Sequence, residues 1–290
     1  MATIIITEST CDLPREYIDA HPCLEVIPMV FQFGSEEHLE IAGETDHHAN
    51  YERMRAGEVA TTSQLNSTYL YSYFRKHLEN GDDVLYLAFS SGLSGTCSNG
   101  MLAAADLRTE FPDRQIEVID TLAPSLMEGM LAIMTAERLE RTGEDVAALA
   151  KWVESIKPRL NAWFTVDDLK FLKRGGRISA ATAAIGTMLS IKPVMHVDSE
   201  GNLIPVSKER GRKRALKSLV DHMAAQCPDP ESTPVYIGHG DCLDDANTLA
   251  AMVEERLGVK TELVNYIGMI IGSHSGPGTI ALFFVGKDRG

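Results

Sequence analysis

The sequence predicts a two-domain α/β protein, with an N-terminal Rossmann-like domain on a parallel sheet and a C-terminal α/β domain on a mixed sheet. Three observations carry this. Short apolar, strand-like runs alternate with longer helical patterns through the first 160 residues, as strands joined by crossover helices do. Beyond Pro158 the pattern changes to paired strand-like runs turned through Glu200-Gly201-Asn202, as in a hairpin. The length of 290 residues suits two domains of ordinary size, and the boundary falls near residue 160, dividing the chain into 1–160 and 161–290.

In the first domain strands are expected at 2–6, where Ile4, Ile5 and Ile6 stand in a row, and at 24–33, 84–89 and 116–119. Between them helical patterns run over 14–20, 50–55, 68–79, 98–110 and 125–141, the last stopping before Gly143, where a left-handed cap fits. A further helix covers 144–159. In the second domain a strand at 163–166 and a short helix at 167–173 precede the hairpin of 195–197 with 203–206. Then come a basic helix (211–225), a linker punctuated by Pro228, Pro230 and Pro234, a strand (235–238), an amphipathic helix (244–257) and strands at 262–266 and 280–285. No internal repeat or low-complexity segment is visible.

Lys and Arg number 27 against 41 Asp and Glu, a net charge of −14, so a nucleic acid or an anionic membrane would be repelled by most of this surface. With 44% hydrophobic and 23% charged residues, disordered and fibrous classes are excluded. No apolar stretch approaches the roughly 18 to 20 residues of a membrane helix, and the N-terminus has neither a basic flank nor a cleavage signal. The expectation is a cytoplasmic protein without stable membrane insertion. Cys11, Cys23, Cys97, Cys227 and Cys242 are scattered, without metal-ligand spacing, and read as reduced thiols.

Three polar, glycine-flanked segments fall where strands end, the place where parallel sheets present helix N-termini to anions. The first is Thr61-Thr62-Ser63-Gln64-Leu65-Asn66-Ser67, which also reads as a helix cap. The second, Ser90-Ser91-Gly92-Leu93-Ser94-Gly95-Thr96, follows strand 84–89, and its glycines permit a tight turn with N–H groups around Ser94. Capping competes here too, but the segment holds more hydroxyls than one cap uses. The third is Gly272-Ser273-His274-Ser275-Gly276-Pro277-Gly278-Thr279, a glycine-rich turn with a lone histidine, a residue type more often structural than ligand-binding.

Enzyme templates fit poorly. A serine-hydrolase elbow needs G-x-S-x-G, whereas here Gly95 directly follows Ser94. Neither a phosphate-binding G-x-x-x-x-G-K-[ST] loop nor a dinucleotide G-x-G-x-x-G occurs. Asp46-His47-His48 and His239-Gly240-Asp241 lack the spacing of a metal site, so no metal ligand is assigned. Neutral donors with one histidine suit holding a carboxylate better than attacking one.

Glu8-Ser9-Thr10-Cys11-Asp12-Leu13-Pro14, Thr62-Ser63-Gln64, the Ser90–Thr96 turn, Leu169-x-x-Leu172-Lys173-x-Gly175-Gly176-Arg177-Ile178-Ser179 and His274-Ser275-Gly276-Pro277-Gly278 resemble, in this order, the motifs of the DegV family. The resemblance covers essentially the whole chain, residues 4–286. It implies two α/β domains with a long-chain fatty acid buried between them and its carboxylate held by Thr62, Ser94 and His274, with Ser63 and Gly95 beside them. It further implies a non-catalytic, cofactor-free subunit that presents the lipid to a separate ATP-dependent fatty acid kinase, which makes an acyl phosphate. Arg210, and with it Arg177, is implied as a partner-docking residue. Two positions depart from the family pattern: Glu8 stands where aspartate is usual, and Leu65 where proline follows Thr-Ser-Gln. Both put local loop shape in question more than carboxylate contact.

Independently of the resemblance, Lys208, Arg210, Arg212, Lys213, Arg214 and Lys217, with Lys170, Lys173, Arg174 and Arg177, form a basic feature on an acidic protein. It is either a solvated helix face or a docking surface for an acidic partner or nucleotide phosphates. Apolar stretches at 27–33, 127–134, 183–191 and 269–271 are candidates to line an acyl tunnel, with ordinary core packing as the alternative. The rival functions are a passive fatty-acid carrier without a kinase, and a serine hydrolase using Ser94 and His274.

Overall fold

The structure, a computed structural model, describes residues 2–179 and 191–289. Along the first half of the chain lie β1 (Thr3–Glu8), α1 (Arg15–Asp19), β2 (Leu24–Ile27), β3 (Val30–Phe33), β4 (Glu36–Leu39), α2 (His47–Arg55), β5 (Ala60–Thr62), α3 (Ser67–Glu79), β6 (Asp83–Ala88), α4 (Thr96–Glu110), β7 (Ile116–Asp120), α5 (Leu126–Thr142) and α6 (Val146–Ile156). The second half carries β8 (Leu160–Thr165), α7 (Lys170–Arg174), β9 (Ile191–Val197), β10 (Leu203–Arg210), α8 (Arg212–Gln226), β11 (Val235–His239), α9 (Leu243–Leu257), β12 (Leu263–Tyr266), α10 (Met269–Ser275) and β13 (Ile280–Val285).

The N-terminal domain is built on a wholly parallel sheet in the order β2-β1-β6-β7. Its buried strand residues Ile5, Ile6, Leu85 and Leu87 require cover on both faces, which crossover helices supply. The C-terminal domain has a six-stranded sheet, β10-β9-β8-β13-β11-β12, antiparallel except for the β11–β12 pair. Both sheet types agree with the sequence.

The expected strand over 24–33 is two strands in two sheets. Pro28 has no N–H to donate, and the chain leaves the parallel ladder there. β3 then pairs antiparallel with β4 and β5 in a small third sheet, β4-β3-β5, which the sequence analysis missed. β4 is charged (Glu36, Glu37, His38) and β5 is three residues long, so neither carries a periodic signal.

Helix α5 packs against strands of both large sheets, and Leu126, Met127, Met130 and Leu131 are fully buried in a core that also holds Leu85, Ala162 and Phe283. The stretch 127–134 is therefore core between the domains and not tunnel lining. The same helix carries Glu128, fully buried against Glu8 at the end of β1. Thr7 and Thr10 donate to one Glu128 oxygen (2.7 and 3.1 Å), while Glu8 accepts from Tyr86 and from the Phe89 N–H (3.0 Å). The other Glu128 oxygen meets no donor among the described residues, as suits a carboxyl whose proton is turned to Glu8. Burial raises both acids above the usual glutamate range, Glu128 the more because of the charge on Glu8.

Candidate functional site

Thr62, Ser94 and His274 come from three elements far apart in sequence, and the fold brings them to one cavity. Thr62 ends β5, where pairing with β3 sets it opposite Phe31. The cap of the next helix is Asn66, whose side chain accepts the Tyr69 N–H at 2.9 Å, so Thr62 is not spent on capping.

Ser94 lies in the turn before α4. Its Oγ accepts the Thr96 N–H at 3.3 Å and lies 3.0 Å from Thr96 Oγ1. The next N–H, that of Gly95, donates to Gln64 Oε1 at 3.1 Å and ties the two polar turns together.

His274 occupies the last turn of α10 instead of the expected glycine-rich loop; only Gly276, at φ +85°, ends the helix. Seven residues are too few for their periodicity to stand out. The helix start is anchored by the N-terminal domain: Asp12 accepts the Gly268 N–H at 2.9 Å, and Glu40 the Met269 N–H at 2.7 Å. Carboxylates suit this positive helix end. His274 Nε2 lies 2.8 Å from Thr62 Oγ1. Burial, aided by the charges of Arg177 and Arg174, pushes the imidazole down to about 4, so the ring is neutral near pH 7.

Thr62, Ser63, Ser94, Gly95 and His274 all line an interdomain cavity of about 480 Å³. Most of its remaining wall is apolar, with Met29 and Phe89 from the first domain and Phe164, Leu172, Ile270, Ile271 and Phe283 from the second. Thr10 and Ser125 also line it, but their hydroxyls are turned to Glu8, Glu128 and Asp12. Of the candidate tunnel stretches, 27–33 contributes Met29, 269–271 contributes two residues, and 183–190 lies outside the described residues.

Arg177, implied by the resemblance as a partner-docking residue, lines this cavity half-buried. Its Nε donates to Leu93 O at 3.1 Å, one Nη donates to Gly175 O, and the same nitrogen lies 3.4 Å from His274 Nδ1. The Gly-Gly-Arg motif was legible in sequence, but its neighbourhood depends on α7 packing against α10. Gly175 permits this approach, because a Cβ there would stand 2.2 Å from His274 Nδ1. Arg210, by contrast, is exposed at the end of β10.

The hydrolase reading loses its pairing: His274 bonds Thr62 and Ser94 bonds Thr96, with no Ser94–His274 bond among the described residues. One grouping escaped sequence reasoning. His48, Glu52 and Asp241 place ligand-type atoms within 4.8 Å of one another, but Arg55 already bonds both Glu52 (2.6 Å) and Asp241.

Fold and site together define a class: a two-domain α/β protein with an apolar interdomain cavity tipped by neutral donors and one arginine. The model of the DegV family, described as comprising uncharacterised proteins, matches residues 2–287. A DegV domain-containing protein of Clostridium perfringens is 39% identical over 287 residues, covering 99% of this chain and 98% of that one. The chain belongs to the DegV family. Among solved structures, the fatty-acid-binding DegV family protein from Thermus thermophilus superposes with a TM-score of 0.87 at 31% identity, covering 99% of this chain and 100% of that one. DegV of Bacillus subtilis, described as a fatty acid binding protein, gives 0.85 at 28% identity, with the same coverage. No described helix is long and apolar enough to cross a membrane.

Proposed function

We propose that this protein binds a long-chain fatty acid in its interdomain cavity and presents the carboxylate to a separate ATP-dependent kinase for conversion to an acyl phosphate. The observation that carries the reading is the apolar cavity meeting Thr62, Ser94, His274 and Arg177 at one part of its wall. The fatty-acid binding of the two DegV relatives supports it. At about 480 Å³ the cavity falls within the roughly 300–1,000 Å³ of sites that bury a small organic ligand.

Each buried methylene stabilises the complex by about 0.8 kcal/mol, so a dozen contribute on the order of 10 kcal/mol before the costs of association. Each hydrogen bond to the carboxylate adds roughly 1.5–3 kcal/mol, largely offsetting its loss of hydration. The tail thus dominates affinity and the head group sets orientation. Lys208, Arg210, Lys213, Arg214 and Lys217 are exposed on or beside β10 and α8, a basic face on an acidic protein that suits an acidic or nucleotide-bearing partner.

The test is to mix the lipid-loaded protein with a fatty acid kinase and ATP and to assay acyl phosphate. Product formation with wild type, reduced by Arg210→Ala at unchanged lipid affinity, supports presentation. Lipid binding without product reduces the protein to a carrier, and no lipid binding overturns the reading.

A further inference from the structure

We propose that Arg177 is a positioning residue that fixes the tautomer of His274 and so turns the Thr62 hydroxyl hydrogen toward the bound carboxylate; this rests on the fatty-acid reading above. The geometry is a chain of three side chains. Arg177 Nη1 lies 3.4 Å from His274 Nδ1, and His274 Nε2 lies 2.8 Å from Thr62 Oγ1. A guanidinium can only donate, so Nδ1 must accept and the ring hydrogen sits on Nε2. Nε2–H then donates to Thr62 Oγ1, which leaves the Thr62 hydrogen free to turn into the cavity that Thr62 lines. Without the arginine the other tautomer becomes available: Nε2 accepts from Thr62, whose hydrogen then points away from the ligand.

The arginine is itself held for this task. Nε donates to Leu93 O at 3.1 Å, beside Ser94, and Nη1 also donates to Gly175 O. Two turns of the wall thereby fix the guanidinium, and the absence of a side chain at Gly175 lets it reach the ring. Each bond in such a chain polarises the next, so positive charge is delivered to the carboxylate through two neutral groups.

Among the described residues, the charged and titratable groups that bear on His274 and its helix come from three directions. Arg177 and Arg174 come from α7 and the turn after it, Tyr51 packs on α10 from α2, and Asp12 and Glu40 bond the far end of α10. Burial chiefly, and the two arginines in addition, keep the ring neutral, so removing Arg177 makes its protonation easier.

Two measurements test the proposal. Nitrogen NMR of the His274 ring in the unliganded wild type is expected to report the Nε2–H tautomer at pH 7. The Nδ1–H form overturns the relay whether or not any lipid binds, which separates this failure from failure of the fatty-acid reading. In Arg177→Met, fatty-acid affinity at pH 8 is expected to fall about tenfold or more and to recover partly as pH drops toward 5.5, where the ring gains its proton; the wild-type profile stays flat over that range. An unchanged affinity, or a loss with a flat profile, overturns the proposal. If Arg177→Met fails to fold, Arg177→Gln, which keeps an N–H donor without the charge, is read by the same two criteria.

Discussion

Replacing Gly175 by alanine perturbs the proposed head-group site without perturbing the backbone that carries it. Gly175 has φ −72° and ψ −10°, helical values that alanine adopts readily, so the fold is expected to keep or slightly gain stability. The new methyl, however, lies 2.2 Å from His274 Nδ1, and the ring has to retreat by about 1 Å to reach ordinary contact. Such a shift displaces Nε2 from its place 2.8 Å from Thr62 Oγ1 and disrupts that hydrogen bond. Loss of one bond in the carboxylate-binding set costs about 1.5–3 kcal/mol, or roughly 10- to 150-fold in affinity. Gly176→Ala is the matched control: its φ of +74° makes alanine strained there, but a Cβ meets nothing within 4 Å. Stability should fall by about 1 kcal/mol with lipid affinity unmoved. Titration calorimetry with a long-chain acid, beside thermal melts of both variants, reads the contrast. Wild-type affinity in Gly175→Ala would refute the reasoning that places His274 against the carboxylate.

Thr62→Val, which keeps the shape of the side chain, is expected to weaken fatty-acid binding about tenfold or more in the same calorimetry, with an unchanged melting temperature for the lipid-free protein. Ser94→Ala should do likewise, and a double variant that retained full affinity would remove both hydroxyls from the site. The raised Glu128 carboxyl binds its proton more tightly folded than unfolded. Its contribution is therefore fully present below the usual glutamate range and is lost as pH rises toward the raised folded value. Over that window wild-type stability falls by up to about 1.4 kcal/mol per pH unit relative to Glu128→Gln, or roughly 3–5 °C of melting temperature; parallel melting curves from pH 5 to 8 would contradict the shared proton.

What could be read from the sequence follows physical lines. The parallel sheet was legible because Val84 to Ala88 and Ile5 with Ile6 are buried on both faces and so form unbroken apolar runs. The polar turns were legible because Thr62 and Ser94 stand in clusters of hydroxyls beside glycine. The small sheet was not, since β4 is charged and β5 is three residues long, and both depend on pairing with β3. Nor was the short helix bearing His274, whose start is held by Asp12 and Glu40, more than 200 residues away in sequence. The place of Arg177 was hidden for the same reason: a basic residue in a basic stretch reads as surface until α7 is seen packed on α10. Met127 to Met134 misled in the opposite direction, because methionine-rich helices fill cores and line slots with the same composition.

The most direct test of the fatty-acid reading is mass spectrometry of the organic extract of freshly purified protein. The expected result is a stoichiometric long-chain fatty acid in the extract, held in the apolar cavity. An extract free of fatty acid, from a protein whose melting temperature also stays fixed when such acids are added, would contradict it.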